Sequence, residues 1–378
     1  MRISIVVVFL AACTASQTGD DGGECTGSAT RCTGSTYEAC VDGKFVAQEN
    51  CTNACVPDVG CLQCDPTAGN TCNGNDVVSC GADGTFGPPV ESCAVGKTCM
   101  AGACQNACTA DGVDLVYVVD EANMFLSFDP RLLPGDPFKL IGTLNCGTNG
   151  ATLQLPAGPI TPFSMSVDRM GRAWVEYTTG EIFNVSLTTA TCTSTMYTPN
   201  SDNMALFGMG FVTDAANSNN EKLYIVGGGR SAEPNGRLRF VDVMAGNYAP
   251  QGTNTVSLAS DFSPELTGTN EGKLFGFFPV ITSGPSYVQE IDKATGAGVG
   301  MKYNLGTTGL GNQIRAWAFA QWGNRFYIFV TTQDANGVRN STVRSIDKAT
   351  GDYKIELQNL PYYIVGAGVS TCAPSVLL

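Results

Sequence analysis

From Asp114 onward the chain alternates short apolar and β-branched runs with clusters of Gly, Asn and Asp, the pattern of strands separated by tight turns. No stretch carries the longer apolar period of an amphipathic helix, so this region is read as all-β. Apolar runs that close on a turn recur as LSFDPRLLPG, FNVSLTTAT, RFVDVMAGN, QEIDKATGA and RSIDKATGD. Their turn positions, Asp129, Ser186, Asp242, Asp292 and Asp347, lie 57, 56, 50 and 55 residues apart, the length of one four-stranded propeller blade with its loops. A second marker, strand then polar turn then strand, precedes each of the last four: PFSMSVDRMGRAWV, FGMGFVTDAANSNNEKLYIV, ELTGTNEGKLFGFF and AWAFAQWGNRFYIF. The first turn motif has only LVYVV, residues 115–119, before it, and YIVGAGVST, Tyr363 to Thr371, supplies the strand it lacks. The expected fold of 109–378 is thus a five-bladed β-propeller with ring closure by the C-terminal strand, which leaves no sheet edge unpaired.

A different pattern fills 25–108. Thirteen of the 17 cysteines lie there, a density that in an exported chain means disulfides standing in for a hydrophobic core. Cys25, Cys32, Cys40, Cys51, Cys55 and Cys61 align with Cys64, Cys72, Cys80, Cys93, Cys99 and Cys104, giving two repeats, 25–63 and 64–107. Each has an Asp-Gly turn after its third cysteine, Asp42-Gly43 and Asp83-Gly84, so each is expected to be a small hairpin held by three bridges. Six cysteines allow fifteen pairings, and spacing does not choose among them. Cys61-x-x-Cys64 lacks the βαβ context of a redox motif and the reducing setting of a zinc site, and reads as structural.

At the N-terminus, Arg2 precedes an apolar run from Ile3 to Ala12 that ends at Cys13, too short to span a bilayer but of signal-peptide length. Leu10-Ala11-Ala12-Cys13 resembles a bacterial lipobox, which implies a signal peptide over 1–12, diacylation of Cys13 and a flexible tether over 13–24. An ordinary secretory signal with an incidental Cys13 is the alternative, and it gives the same side of the membrane. Thr14 stands where inner-membrane retention would want Asp, so the expected address is the outer membrane, facing periplasm or cell surface.

With Cys13 lipidated and twelve cysteines in the repeats, Cys108, Cys146, Cys192 and Cys372 remain. Closure of the ring brings Cys372 beside the residues before Leu115, which pairs Cys108 with Cys372 and leaves Cys146 for Cys192. A loop of that length, cross-linked, is worth on the order of 4 to 5 kcal/mol in unfolded-state entropy.

The lipobox, the Cys-x-Gly repeats and the strings GTLNC, FGMGF, EIDKATGA, AWAFAQWG and IVGAGVSTCAP are similar to a group of surface lipoproteins abundant in myxobacteria. The resemblance covers nearly the whole chain. It implies the same architecture and cell-envelope location and carries no activity with it.

Composition narrows the chemistry. The chain has no histidine, which excludes Ser-His-Asp and Cys-His nucleophile systems and histidine-bound zinc. Net charge is −13, with 3 basic against 11 acidic residues in 14–108 and 17 against 23 from 109 onward, so neither half suits nucleic acid. On or just after the inner strands lie Asp168, Asp214 and Glu265, with Asn203, Asn270, Asn312 and Gln321 nearby. Such oxygens at a channel mouth could hold calcium and polarise an ester carbonyl, although turn chemistry also accounts for Asp168 and Asp214. In AWAFAQW, Trp317 and Phe319 share a face that blade packing would bury, and Trp322 at the turn is the one expected to reach solvent and stack on a ligand. Gly227-Gly228-Gly229-Arg230 lacks the Lys-Ser/Thr of a phosphate loop and reads as a strand-end turn. Two functions follow: a non-enzymatic envelope binding or scaffold protein that recognises a protein or glycan, and a calcium-dependent hydrolase or lactonase using channel carboxylates. The missing histidine and the sparse inner-strand acids favour the first.

Overall fold

The computed structural model describes residues 25–374, except 52–54, 65, 67–68, 94–96, 101, 107, 109, 155–156, 217, 228–235, 282–283 and 307–313. Cys13, the signal peptide and tether, Gly228, Gly229, Arg230 and Asn312 lie outside the described residues. Among the described residues the structure is all-β, with two short 3-10 turns, Pro130–Leu132 and Ser201–Asn203. No helix among them is long and apolar enough to cross a membrane. The chain divides into two compact units, Met1–Ala68 with Cys80–Phe86, and Gly69–Ser79 with Gly87–Leu378. The second cysteine repeat contributes residues to both.

Both cysteine repeats build the same small object. In the first, β1 (Thr30–Thr33), β2 (Thr36–Val41) and β3 (Lys44–Asn50) form a three-stranded sheet, and β4 (Cys55–Val56) pairs with β5 (Gly60–Cys61). In the second, β6 (Asn70–Asn73), β7 (Asp76–Cys80) and β8 (Phe86–Ser92) form the sheet and β9 (Lys97–Met100) pairs with β10 (Ala103–Asn106). Disulfides Cys25–Cys40, Cys32–Cys55 and Cys51–Cys61 recur as Cys64–Cys80, Cys72–Cys99 and Cys93–Cys104. First to third, second to fifth and fourth to sixth is the rule in both copies. Asp42 at φ 51° and Gly43 at φ 81° make the two-residue turn between β2 and β3, where only Gly, Asn and Asp sit without strain.

Five four-stranded antiparallel sheets make up the rest. The first holds β11 (Val116–Asp120), β12 (Met124–Phe128) and β13 (Phe138–Thr143). The second runs β14 (Pro162–Val167), β15 (Arg172–Tyr177), β16 (Ile182–Ser186), β17 (Cys192–Ser194), and the third β18 (Phe207–Thr213), β19 (Glu221–Gly227), β20 (Arg237–Asp242), β21 (Asn247–Gln251). The fourth runs β22 (Glu265–Gly268), β23 (Leu274–Phe278), β24 (Tyr287–Ile291), β25 (Gly298–Asn304), and the fifth β26 (Ile314–Trp322), β27 (Arg325–Gln333), β28 (Arg339–Asp347), β29 (Tyr353–Leu357). The last strand, β30 (Ile364–Val369), returns to pair with β11, giving the order β13-β12-β11-β30. The arrangement is propeller-like.

One strand from each sheet faces its counterpart in the next: β14 packs beside β18, β18 beside β22, β22 beside β26, β26 beside β30, and β30 beside β14. Their closeness has a visible cause in side-chain size. A Cβ on Gly208 would lie 2.0 Å from the Pro264 carbonyl oxygen, one on Gly268 2.1 Å from that of Phe211, and one on Gly368 2.7 Å from Ser166 Cα. Ser164 and Ser166 on β14 and Ala316, Ala318 and Ala320 on β26 are the small residues of the other two strands. None of these glycines has positive φ, so it is room for the neighbouring backbone, not conformational freedom, that requires them. Gly208→Ala is expected to destabilise by roughly 2 to 3 kcal/mol by overpacking. Gly147→Ala, where nothing lies within 4 Å, should leave the midpoint of unfolding unchanged, and equal midpoints for the two variants would refute the close approach.

Apolar side chains fill the spaces between successive sheets in five clusters. Phe128 and Phe329 join the fifth and first sheets, Phe125 and Met165 the first and second, and Trp174 and Phe211 the second and third. Val226 and Phe278 join the third and fourth, and Phe277 and Phe319 the fourth and fifth. Each fully buried large side chain contributes about 1.5 to 3 kcal/mol. Two further disulfides are present, Cys108–Cys372 with a sequence separation of 264 and Cys146–Cys192 with one of 46.

Candidate functional site

The carboxylates singled out in the sequence do not meet. Asp168 follows β14 and is spent on its own turn: it accepts from Met170 N at 3.0 Å, Arg172 N at 2.9 Å, Arg172 Nε at 2.8 Å and Trp174 Nε1 at 3.0 Å. Asp214 follows β18 and pairs with Lys222 Nζ at 3.2 Å, its side chain 38% exposed. Glu265 instead begins β22, and Ser164 Oγ on β14 donates to it at 2.8 Å. Ser164 stands four residues before Asp168 on one extended strand, about 13 Å of backbone, so Glu265 and Asp168 belong to opposite ends of the inner strands. Among the described residues no group of three acidic, cysteine or histidine side chains is placed to hold a metal ion. The residues offered for calcium therefore do not fit it. Gln321 is likewise committed, its Oε1 accepting from Lys348 Nζ at 2.7 Å, and Asn203 and Asn270 lie in turns.

Trp322 corrects a second expectation. It is only 3% exposed, because its Nε1–H donates to the Asp114 carbonyl at 2.6 Å and the Arg131 guanidinium lies 5.8 Å over its ring. Trp317, five residues earlier, is the half-buried indole. Phe319, by contrast, is fully buried.

Trp317 lines a cleft of about 580 Å³, within the size range of small-ligand sites. The cleft opens where the inner strands begin: Pro162 starts β14, Leu206 precedes β18, Glu265 starts β22, Ile314 starts β26 and Val365 is second in β30. Three of those strands carry a β-bulge at that point. The pairing skips Phe163 in β14, Arg315 in β26 and Val365 in β30, and all three skipped residues line the cleft. A bulge re-aims one side chain without unmaking the strand. The wall is completed by Phe262, whose ring centroid lies 5.1 Å from that of Trp317, while Trp317 Nε1–H donates to the Ser263 carbonyl at 3.2 Å. The indole is thereby held from one edge and backed by a second ring.

Polar groups surround this aromatic pair. Arg339 pairs with Glu121 at 2.6 Å and its guanidinium lies 4.9 Å over the Tyr363 ring. Arg315 Nε donates to Gln333 Oε1 at 2.6 Å, and among the described residues Arg315 pairs with no carboxylate. Ser263, 3% exposed, has an Oγ without a hydrogen-bond partner. Burial pushes the Glu265 carboxyl well above the usual carboxylate range, against the lowering effect of Ser164 and the Met209 N–H.

Three buried acids escaped the sequence reading, Asp120, Glu176 and Glu221, of which Asp120 accepts from the amides of Ala122 and Met124 in its own turn. Glu176 lies opposite Ser164 on β15, accepts from Phe207 N at 3.2 Å and leaves Oε1 unpartnered; burial, and then the charge of Glu265, push its carboxyl up. Glu221 accepts from Arg169 N at 2.8 Å and from Thr371 Oγ1 at 2.7 Å. The signal for Glu176 was present: RAWVEY places a carboxylate inside an otherwise apolar strand, where burying a charge is costly.

No protein-family profile and no curated protein matches the chain. Among solved structures it is similar to hydrazine synthase of Kuenenia stuttgartiensis, at 13% identity over 66% of this chain and 65% of that one with a TM-score of 0.33. It is similar to the Xyloglucan PUL GH43B of Bacteroides ovatus at 14% identity, 53% and 42% coverage and a TM-score of 0.37. An endo-arabinase from Bacteroides thetaiotaomicron gives 13% identity, 55% and 83% coverage and a TM-score of 0.38. The chain spans less than two thirds of the length of the first two. Likeness at this level carries no argument about activity.

Proposed function

We propose that this protein is a lipid-anchored recognition protein of the cell envelope: a five-bladed β-propeller, closed by its C-terminal strand, that binds a glycan in the cleft where its inner strands begin. The sheet order, in which β30 joins β11, and the cyclic succession of inner strands support the closed five-bladed reading. The lipobox ending at Cys13, the eight disulfides and the likeness to myxobacterial surface lipoproteins support an envelope address. One observation carries the function. Three separate strands break their register to deliver Phe163, Arg315 and Val365 into a cleft that already holds Trp317 and Phe262. Flat rings bordered by polar side chains suit the apolar face and hydroxyl rim of a sugar.

The hydrolase reading loses its arrangement, since Asp168, Asp214 and Glu265 do not converge. The test is binding of the full-length oxidised protein, in detergent, to an array of bacterial and plant oligosaccharides. Trp317→Ala is expected to weaken the captured glycans about ten-fold or more by loss of ring stacking. An array with no binder, or binders indifferent to Trp317→Ala with the fold intact by circular dichroism, would overturn the proposal.

A further inference from the structure

We infer that the cleft takes an acidic glycan, with a sugar ring on Trp317 and its carboxylate on Arg315. This rests on the reading of the cleft as a glycan site and adds the class of sugar. The argument begins with charge. The lining contains four ionisable side chains, Glu121, Glu265, Arg315 and Arg339. Glu121 and Arg339 neutralise one another across 2.6 Å. Glu265 is 3% exposed and bound to Ser164, and burial holds it toward its uncharged form. Arg315 is left as the uncompensated charge, and the adjoining stretch Thr307 to Gln313 contains no acidic residue. A positive cleft in a chain of net charge −13 is the reverse of what the composition alone would place there.

Geometry gives Arg315 its role. It is the skipped residue of the bulge between Ile314 and Ala316, so its side chain is aimed by a local departure from the ladder. Its Nε is occupied by Gln333 Oε1 at 2.6 Å, which orients the guanidinium and leaves its two terminal nitrogens for a carboxylate, the group that this planar fork matches. Trp317 stands two residues along the same strand, fixed by Ser263 and Phe262. Ser263 also lines the cleft and holds the Trp317 indole through its carbonyl, while its own hydroxyl is buried and has no hydrogen-bond partner, which is costly in a folded protein. A ring and a carboxylate on one ligand answer Trp317 and Arg315 together.

The experiment uses matched trisaccharides differing only in oxidation at C6: galacturonate against galactose, glucuronate against glucose, mannuronate against mannose. Each is titrated calorimetrically into the full-length oxidised protein at 20 mM and 300 mM salt. In at least one pair the acid should bind about ten-fold tighter than the neutral sugar, and the preference should shrink at high salt. Arg315→Gln, at an exposed side chain, should erase the preference for the acid over its neutral partner. If neutral sugars bind as well as acidic ones, or Arg315→Gln keeps the preference, the inference fails and the glycan reading stands. If no saccharide in any pair binds, both fail.

Discussion

Replacing both Cys108 and Cys372 with serine is expected to lower the free energy of unfolding by roughly 5 kcal/mol. The bond joins residues separated by 264 positions, so its removal releases the largest disulfide-closed loop among the described residues, whereas Cys146 and Cys192, separated by 46, restrain a shorter one worth roughly 4 kcal/mol in the same treatment. The bond also stands next to the strand that completes the first sheet, because β30 ends at Val369 and pairs through it with Val116. In the double variant, amide exchange should accelerate first along β30 and β11, ahead of β19 or β27. Denaturant titration of the two double-serine variants beside the parent measures the energies. A loss below about 1 kcal/mol for the Cys108 pair would show that the sheets hold the ends together without it.

The second large effect is a fall in stability as pH rises. Burial first, and then the charge of Asp168, push the Glu221 carboxyl up to about 7, against the lowering effect of Arg169 N–H and Thr371. An unfolded chain releases that proton near 4.5, so between pH 4.5 and 7 the folded state holds a proton that the unfolded state has lost. Stability contributed by this group is complete below pH 4.5 and is lost as pH rises through 7, by about 3 kcal/mol. Glu176 and Glu265 shift in the same direction and add to the slope. Exposed carboxylates pulled the other way, such as Asp292 and Asp83, act below pH 4.5 and leave this window alone. The midpoint of urea unfolding should thus be higher at pH 5 than at pH 8. Glu221→Gln should flatten the difference and match the parent at pH 5, and a parent more stable at pH 8 than at pH 5 would refute the assignment.

Much of the β architecture was legible because it repeats. Asp292 and Asp347 accept from the amides of Ala294 and Thr295 and of Ala349 and Thr350, and the same turn chemistry at a steady interval marked out the sheets. Cysteine density likewise pointed to the disulfides. The cleft was not legible, for three physical reasons. Alternation along β26 says which residues share a face but not which end of the strand is open, so Trp322 was preferred to Trp317. A bulge such as that at Arg315 has no composition of its own. Partners that satisfy an acid, as Ser164 does Glu265 from 101 positions away, come together only through the packing of strands from different sheets.

The bond between Cys108 and Cys372 has a mechanical consequence. A pull transmitted along the chain to Cys108 divides there between the backbone leading to β11 and the disulfide leading to β30. Those two strands are hydrogen-bonded neighbours, so tension cannot peel one from the other by drawing on a single end. It must shear both together from the strands on either side, β12 and the adjacent inner strands.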